Sequence, residues 1–151
     1  VGITQNPEFS RMTVTMKADA STVDQVCKQL AKLVEVESIK VLPPNASTKR
    51  SMALVKVKAG DKKLEILKLA DVFRAHAIDV TGDSLTFLIT GVNDKLHAFV
   101  DVMRPYGIIE MVQTGAIALE RGDEALTVEK SRYTWPKVVD EANVRKNCTV
   151  I

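Results

Sequence analysis

The chain has 151 residues, 46% hydrophobic and 26% charged, with a formal net charge of +2. That length holds one ordinary domain or two very small ones, and the balance is that of a globular chain. Acidic and basic residues interleave, as in Glu35, Glu37 and Lys40. So small a charge argues against nucleic acid as an electrostatic partner, and 5% aromatics leave no stacking platform for single strands. No apolar run approaches the roughly 20 residues of a membrane span. Val1-Gly2-Ile3-Thr4 lacks the charged start and apolar core of a signal peptide. Cys27 and Cys148 are far apart in the sequence and read as reduced thiols. Together these features predict an intracellular protein, cytoplasmic or, in a eukaryote, in an organelle stroma or matrix.

In chain order, Met12, Val14 and Met16 alternate with polar residues and predict a strand over 12–17. Ser21 and Asp24 resemble a capping box. Val23, Val26, Cys27, Leu30 and Leu33 then predict a helix over 22–33. Val34, Val36, Ile39 and Val41 predict a strand with a slip in alternation near Ser38, as a bulge would give. Pro43 to Thr48 reads as a linker. A second unit follows. Ala53, Val55 and Val57 predict a strand, and Gly60-Asp61 opens a helix carrying Leu64, Leu67, Ala70 and Phe73. Ile78 and Val80, the Gly82-Asp83 turn, then Leu85, Phe87 and Ile89 read as a hairpin. Asn93 is placed to cap a helix bearing Leu96, Phe99, Val100 and Met103, which Pro105 stops. A last apolar strand is expected over 108–119, interrupted by Gly115.

Strand, helix, strand, strand, helix, strand is the order of the split ferredoxin-like unit, an α+β sandwich with strand order 4-1-3-2 and both helices on one face. Each helix buries about four large side chains at roughly 1.5–3 kcal/mol apiece, which suffices only on a complete sheet. Laid over the second unit, the first shows only the second half of the pattern. The strand it lacks belongs between strands three and four, and without it two hydrogen-bonding edges stay open. The expected source is a stretch outside this sequence, with another chain or a different packing as alternatives.

Three segments carry a family resemblance. Thr4-Gln5-Asn6-Pro7-Glu8-Phe9-Ser10-Arg11-Met12-Thr13-Val14 resembles a strand entry in the first domain of the acetolactate synthase regulatory (small) subunits. Cys27 to Val36 resembles the helix and strand that follow there. Tyr106-Gly107-Ile108-Ile109-Glu110-Met111-Val112-Gln113-Thr114-Gly115-Ala116-Ile117-Ala118-Leu119 resembles the last strand of the second domain and is the most specific match. Leu69 to Ala75, followed by Ile78-Asp79-Val80, also fits.

The resemblance implies a partial N-terminal ACT domain followed by a complete ACT-like domain. The corresponding division is 1–43 for the half domain, 44–50 for the linker, 51–122 for the second domain and 123–151 for a tail. It implies a non-catalytic subunit without a cofactor of its own. That subunit binds and activates the thiamine-diphosphate-dependent catalytic subunit, pairs as a homodimer, and mediates feedback by valine or a related branched-chain amino acid. The family's effector site uses a Pro-Gly loop and an Asn near the end of its first helix. Neither has a counterpart in this sequence, so no valine-binding residue is carried over. Asn6, Pro7, Arg11, Tyr106, Gly107, Ile109, Gln113 and Thr114 are the residues expected at a partner or dimer interface. The alternative function is a stand-alone amino-acid-sensing module acting through self-association.

The remaining features read as structure. His76 and His97 lack metal-ligand spacing. Asp79, Asp83 and Ser84 near His76 are explained by hairpin chemistry, since no nucleophile elbow surrounds Ser84. Gly60 and Gly91 are isolated rather than part of a phosphate loop. Lys56, Lys58, Lys62, Lys63 and Lys68 read as a solvated face. The strand at Ile108, Ile109, Met111 and Val112 is apolar on both faces, which fits burial within the subunit or pairing with a second copy. The tail, with Tyr133-Thr134-Trp135-Pro136, either docks on the catalytic partner or packs on its own domain. Cys148-Thr149-Val150-Ile151 matches a prenylation box by form only, because Ile is not a typical last residue. Asn45-Ala46-Ser47 and Asn147-Cys148-Thr149 match glycosylation acceptors, which act only in secreted chains.

Overall fold

The computed structural model describes residues 1–126, 133–134 and 148–150. Its elements are β1 (Gly2–Ile3), β2 (Ser10–Arg11), β3 (Val14–Met16), α1 (Ala20–Leu30), β4 (Ile39–Leu42), β5 (Ser47–Lys58), α2 (Lys63–Val72), β6 (His76–Val80), β7 (Ser84–Gly91), α3 (Asn93–Met103), β8 (Ile108–Gln113), β9 (Ile117–Glu120), β10 (Tyr133–Thr134) and β11 (Cys148–Val150). The protein is mixed α/β with largely antiparallel sheets. Among the described residues no helix is long and apolar enough to cross a membrane. The chain forms two compact units, Val1–Thr48 with Ile117–Ile151, and Lys49–Ala116.

In the second unit the strands are ordered β6-β7-β5-β8, all pairs antiparallel. Numbered within the unit, that is 4-1-3-2 read from the β8 side. Period-two alternation explains the layering. Ala53, Val55 and Val57 on β5 and Leu85, Phe87 and Ile89 on β7 form a single core with Ile66 and Ala70 of α2 and Leu96, Phe99, Val100 and Met103 of α3. Phe99 is fully buried and meets Phe73 and Phe87 edge-on, at centroid distances of 5.6 and 5.8 Å. The Gly82-Asp83 turn is closed by Thr81 N–H donating to the Ser84 carbonyl at 2.9 Å.

Several local expectations are corrected. Leu64 is 76% exposed, whereas Ile66 is buried. A single turn of 3₁₀ helix over Gly60–Lys62 precedes α2, and the helix presents Ile66 and Ala70, four residues apart, to the sheet. Val92, not Asn93, occupies the cap position of α3. The expected strand over 108–119 is two strands. Ile108 of β8 packs on the second unit's core, while Ala118 of β9 is buried with Leu42 in the first unit. A strand serving two cores has to break, and it does so around Gly115. A 3₁₀ turn over Pro44–Ala46 leads directly into β5, whose first residue Ser47 is buried.

In the first unit, Asp19 caps α1 by accepting the Thr22 N–H at 2.7 Å, displacing the expected Ser21 capping box. The buried face is Val23 and Cys27, with Leu30 partly buried one turn on. The next residue on that face is Val34, which is 78% exposed, so the helix stops at Leu30 where its core contact ends. The following strand is accordingly Ile39–Leu42 rather than 34–41. Lys40 and Glu120 form an ion pair. The sheet is ordered β10-β4-β11-β3. The slot expected to await a strand from outside this sequence therefore holds β11, antiparallel to both neighbours.

Candidate functional site

The interface residues expected near the C-terminal end of the second unit all lie on β8 or its two flanks. Pro105 sits in a 3₁₀ turn, Arg104–Tyr106, that ends α3. Gly107 then adopts φ +93°, a conformation that L side chains rarely take. Its N–H donates to the Arg104 carbonyl at 3.1 Å, and its carbonyl accepts from Lys58 N–H at 2.9 Å. This turn aims the chain into β8, which pairs with β5 from Val57↔Ile108 to Ala53↔Gln113.

β8 ends the sheet, so its outer edge has no strand among the described residues. Ile109 and Val112 are 50% and 63% exposed, and Met111 is also exposed. An exposed apolar edge strand presents both apolar area and backbone hydrogen-bonding groups to its surroundings. Lys56 lies opposite Glu110, with Nζ 3.9 Å from Oε2; both are solvent-facing, so the pair contributes little.

Both ends of the strand are held by contacts distant in sequence. The Tyr106 hydroxyl donates to Glu65 Oε1 at 2.5 Å, and Lys62 Nζ lies 5.6 Å from the ring centroid. The hydrogen bond to Glu65 raises the tyrosine's pKa above its ordinary 10, assisted by partial desolvation and by the Glu65 charge. At the other end Gln113 Nε2 donates to Asn93 Oδ1 at 3.3 Å, and the same oxygen accepts from the buried Ser51 hydroxyl at 3.0 Å. Thr114 Oγ1 accepts Met52 N–H at 3.0 Å. Sequence reading misses Glu65, Lys62, Ser51 and Asn93 in these roles. Their partners are 20 to 44 positions away in the sequence, and no local motif marks them.

Asn6, Pro7 and Arg11 belong to the first unit. Asn6 Oδ1 accepts Glu8 N–H at 3.1 Å, and the Asn6 carbonyl accepts Phe9 N–H at 3.1 Å, so Pro7 sits in a tight exposed turn. Arg11 pairs with Gly2 across β1 and β2, and its Nε is buried without a hydrogen-bond partner among the described residues.

The histidine, serine and aspartates around the β6–β7 hairpin do not assemble a reactive group. His76 lies opposite Leu88, whereas Ser84 sits at the turn with its hydroxyl 3.0 Å from Thr81 Oγ1. Among the described residues no three His, Cys, Asp or Glu side chains are grouped to hold a metal ion.

The family profile for the small subunit of acetolactate synthase matches residues 50–122, a span that includes β8 and both of its flanks. The acetolactate synthase small subunit of Mycolicibacterium smegmatis is 37% identical over 86% of this chain and 77% of its own length. That of Haemophilus influenzae is 38% identical over 82% and 77%. The crystal structure of the acetolactate synthase small subunit from Thermotoga maritima superposes with a TM-score of 0.64 at 37% identity, covering 72% of this chain and 68% of that one. With sequence likeness across most of both chains and a matching fold, this chain belongs to the acetolactate synthase small subunit family.

Proposed function

We propose that this chain is a non-catalytic regulatory subunit that binds the catalytic subunit of acetolactate synthase, raises its activity and mediates branched-chain amino-acid feedback, with valine as the effector. The observation that carries this reading is the family membership, combined with the exposed apolar edge of β8 inside the family's most specific segment. A small subunit implies a larger catalytic partner, and the edge strand offers that partner both backbone hydrogen bonds and apolar area. The interface in this reading comprises Tyr106, Gly107, Ile109, Gln113 and Thr114 on the second unit and Asn6, Pro7 and Arg11 on the first, shared between the catalytic partner and a second copy. Both units are read as ferredoxin-like ACT-type sandwiches, divided near residues 44–50, with 123–151 as a tail, in a cytoplasmic or organellar compartment. A ligand acts here only through its differential affinity for two states; a coupling of about 1–3 kcal/mol changes partner affinity roughly 5–150-fold.

The test is acetolactate formation by the cognate catalytic subunit, with and without this chain and with and without valine. Stimulation reversed by valine is the expected result. Stimulation that valine leaves untouched keeps the partner role and removes the feedback role. No stimulation and no co-purification overturn the reading in favour of a stand-alone module acting through self-association.

A further inference from the structure

Asn93 opens α3, yet its side chain is not spent on the helix. Val92 holds the cap position and offers no side-chain cap; the N–H groups of Lys95 and Leu96 close the first turn on the Val92 carbonyl at 3.1 and 3.2 Å. Asn93 Oδ1 instead accepts two donors from other elements, the Ser51 hydroxyl of β5 at 3.0 Å and Gln113 Nε2 of β8 at 3.3 Å. A side-chain amide oxygen has two lone pairs, so it takes both donors at once. An asparagine at a helix start that turns its acceptor away from the helix breaks a local rule. Such breaks concentrate where a residue serves something beyond its own element.

The two bonds hold different things. Ser51 is buried, and a buried hydroxyl needs a partner. Gln113 is the last residue of β8, where the backbone ladder gives way to side chains. One position on, Thr114 N–H still donates to the Met52 carbonyl at 2.9 Å, but Met52 N–H donates to Thr114 Oγ1 at 3.0 Å, a hydroxyl in place of a backbone carbonyl. The chain then leaves through Gly115, around which the structure is open. Val112, 63% exposed, stands directly before this end. The placement of the strand end therefore depends on the hold of Asn93 on Gln113.

We propose that Asn93 is a positioning residue for partner binding: by tying Gln113 to the start of α3, it fixes Met111 to Thr114 in the conformation that the catalytic subunit binds. This rests on the reading of β8 as the docking edge. A strand end held before encounter loses less freedom on binding, so cutting the hold weakens binding while the contacting side chains remain.

The test titrates capture of the catalytic subunit by the full chain and its variants, with amide exchange at Thr114 read against interior β7 amides. Gln113→Met cuts the hold and leaves the Ser51–Asn93 bond in place, so the buried hydroxyl keeps its partner. Asn93→Ala cuts both bonds. Each is expected to weaken capture at least about fivefold, the worth of one hydrogen bond, and to speed Thr114 exchange relative to β7. Asn93→Asp keeps an acceptor for both donors beside a helix N-terminus that favours negative charge, and should bind like the parent. Ser51→Ala should also bind like the parent, since Gln113 keeps its acceptor. The double variant Asn93→Ala/Gln113→Met should bind no more weakly than the weaker single one, because both residues act through one bond. Additive losses assign Gln113 a direct contact with the partner and overturn the proposal. So does failure of Asn93→Asp to bind. Where Asn93→Ala does not fold, parent-like capture by Gln113→Met overturns it equally. Ile109→Asp separates the two levels. If it weakens capture while Asn93→Ala and Gln113→Met do not, the positioning role alone fails. If Ile109→Asp also leaves capture unaltered, the docking reading fails and the proposal with it.

Discussion

Phe99 and Leu64 provide the sharpest test of the second unit's packing, since helical spacing assigns both to apolar faces and the structure separates them. Phe99 is 0% exposed and Leu64 is 76% exposed. Truncating a buried phenylalanine to alanine costs about 3–5 kcal/mol in transfer and cavity terms. The two edge-on contacts of Phe99, to Phe73 and Phe87, add ~0.5–1.5 kcal/mol each. A unit of this size, Lys49–Ala116, has on the order of 3–10 kcal/mol of stability at the usual per-residue value. Phe99→Ala therefore consumes most of it, whereas Phe99→Leu keeps much of the volume, loses both ring contacts and costs about 1–3 kcal/mol. Leu64→Ala should fall within ~0.5 kcal/mol of the parent. Hydrogen exchange at the slowest β5 and β7 amides reads these values directly, because each ~1.4 kcal/mol of lost stability speeds globally controlled exchange tenfold. The expectation is acceleration of at least about a hundredfold for Phe99→Ala and of less than about threefold for Leu64→Ala. Equal effects at the two positions, or a larger one at Leu64, would refute the assignment of the core.

Three further outcomes are expected. Tyr106 should ionise above pH 10, and Glu65→Gln should lower its midpoint, since both the accepting carboxylate and its charge favour the neutral phenol; ultraviolet titration against a Tyr106→Phe reference reads this. The sign follows: a folded-state pKa above the unfolded one gives a contribution to stability that is complete below pH 10 and is lost as pH rises through the folded midpoint. Gly107→Ala should destabilise the second unit by about 1–3 kcal/mol through backbone strain at φ +93°. The new Cβ meets Lys58 Cδ at an ordinary 3.5 Å, so Lys58→Ala should not rescue it in thermal unfolding. Ile109→Asp on the half-exposed edge should leave unfolding nearly unchanged and weaken capture of the catalytic subunit at least tenfold; unaltered capture would remove β8 from the docking surface.

Much of the second unit was legible because β5 and β7 alternate cleanly and α3 carries Leu96, Phe99, Val100 and Met103 at helical spacing, all of them buried. Local periodicity reports burial reliably when one face meets one core. The segment that becomes β8 and β9 was legible through the resemblance of residues 106–119, not through any pattern of chemistry. Where the sequence misled, a local signal had two possible readings. Leu64 fits the apolar stripe of α2, but Ile66 supplies the contact that the sheet accepts. Leu33 continues the pattern of α1 past the point where a core exists to receive it, and it stands half exposed. Asn93 has a capping side chain, but that side chain turns instead to Ser51 and Gln113.

By itself, then, the sequence determined the order of elements in the second unit, the inward residues of β5 and β7 and the family, because these follow from alternation, spacing and segments that resemble the family. Only the tertiary structure decided the contacts that hold β8 at its ends and the strand that fills the gap between β3 and β4. Those contacts join residues dozens of positions apart, and hydrogen bonding between strands depends on which edges meet in space, a relation that no local pattern along the chain encodes.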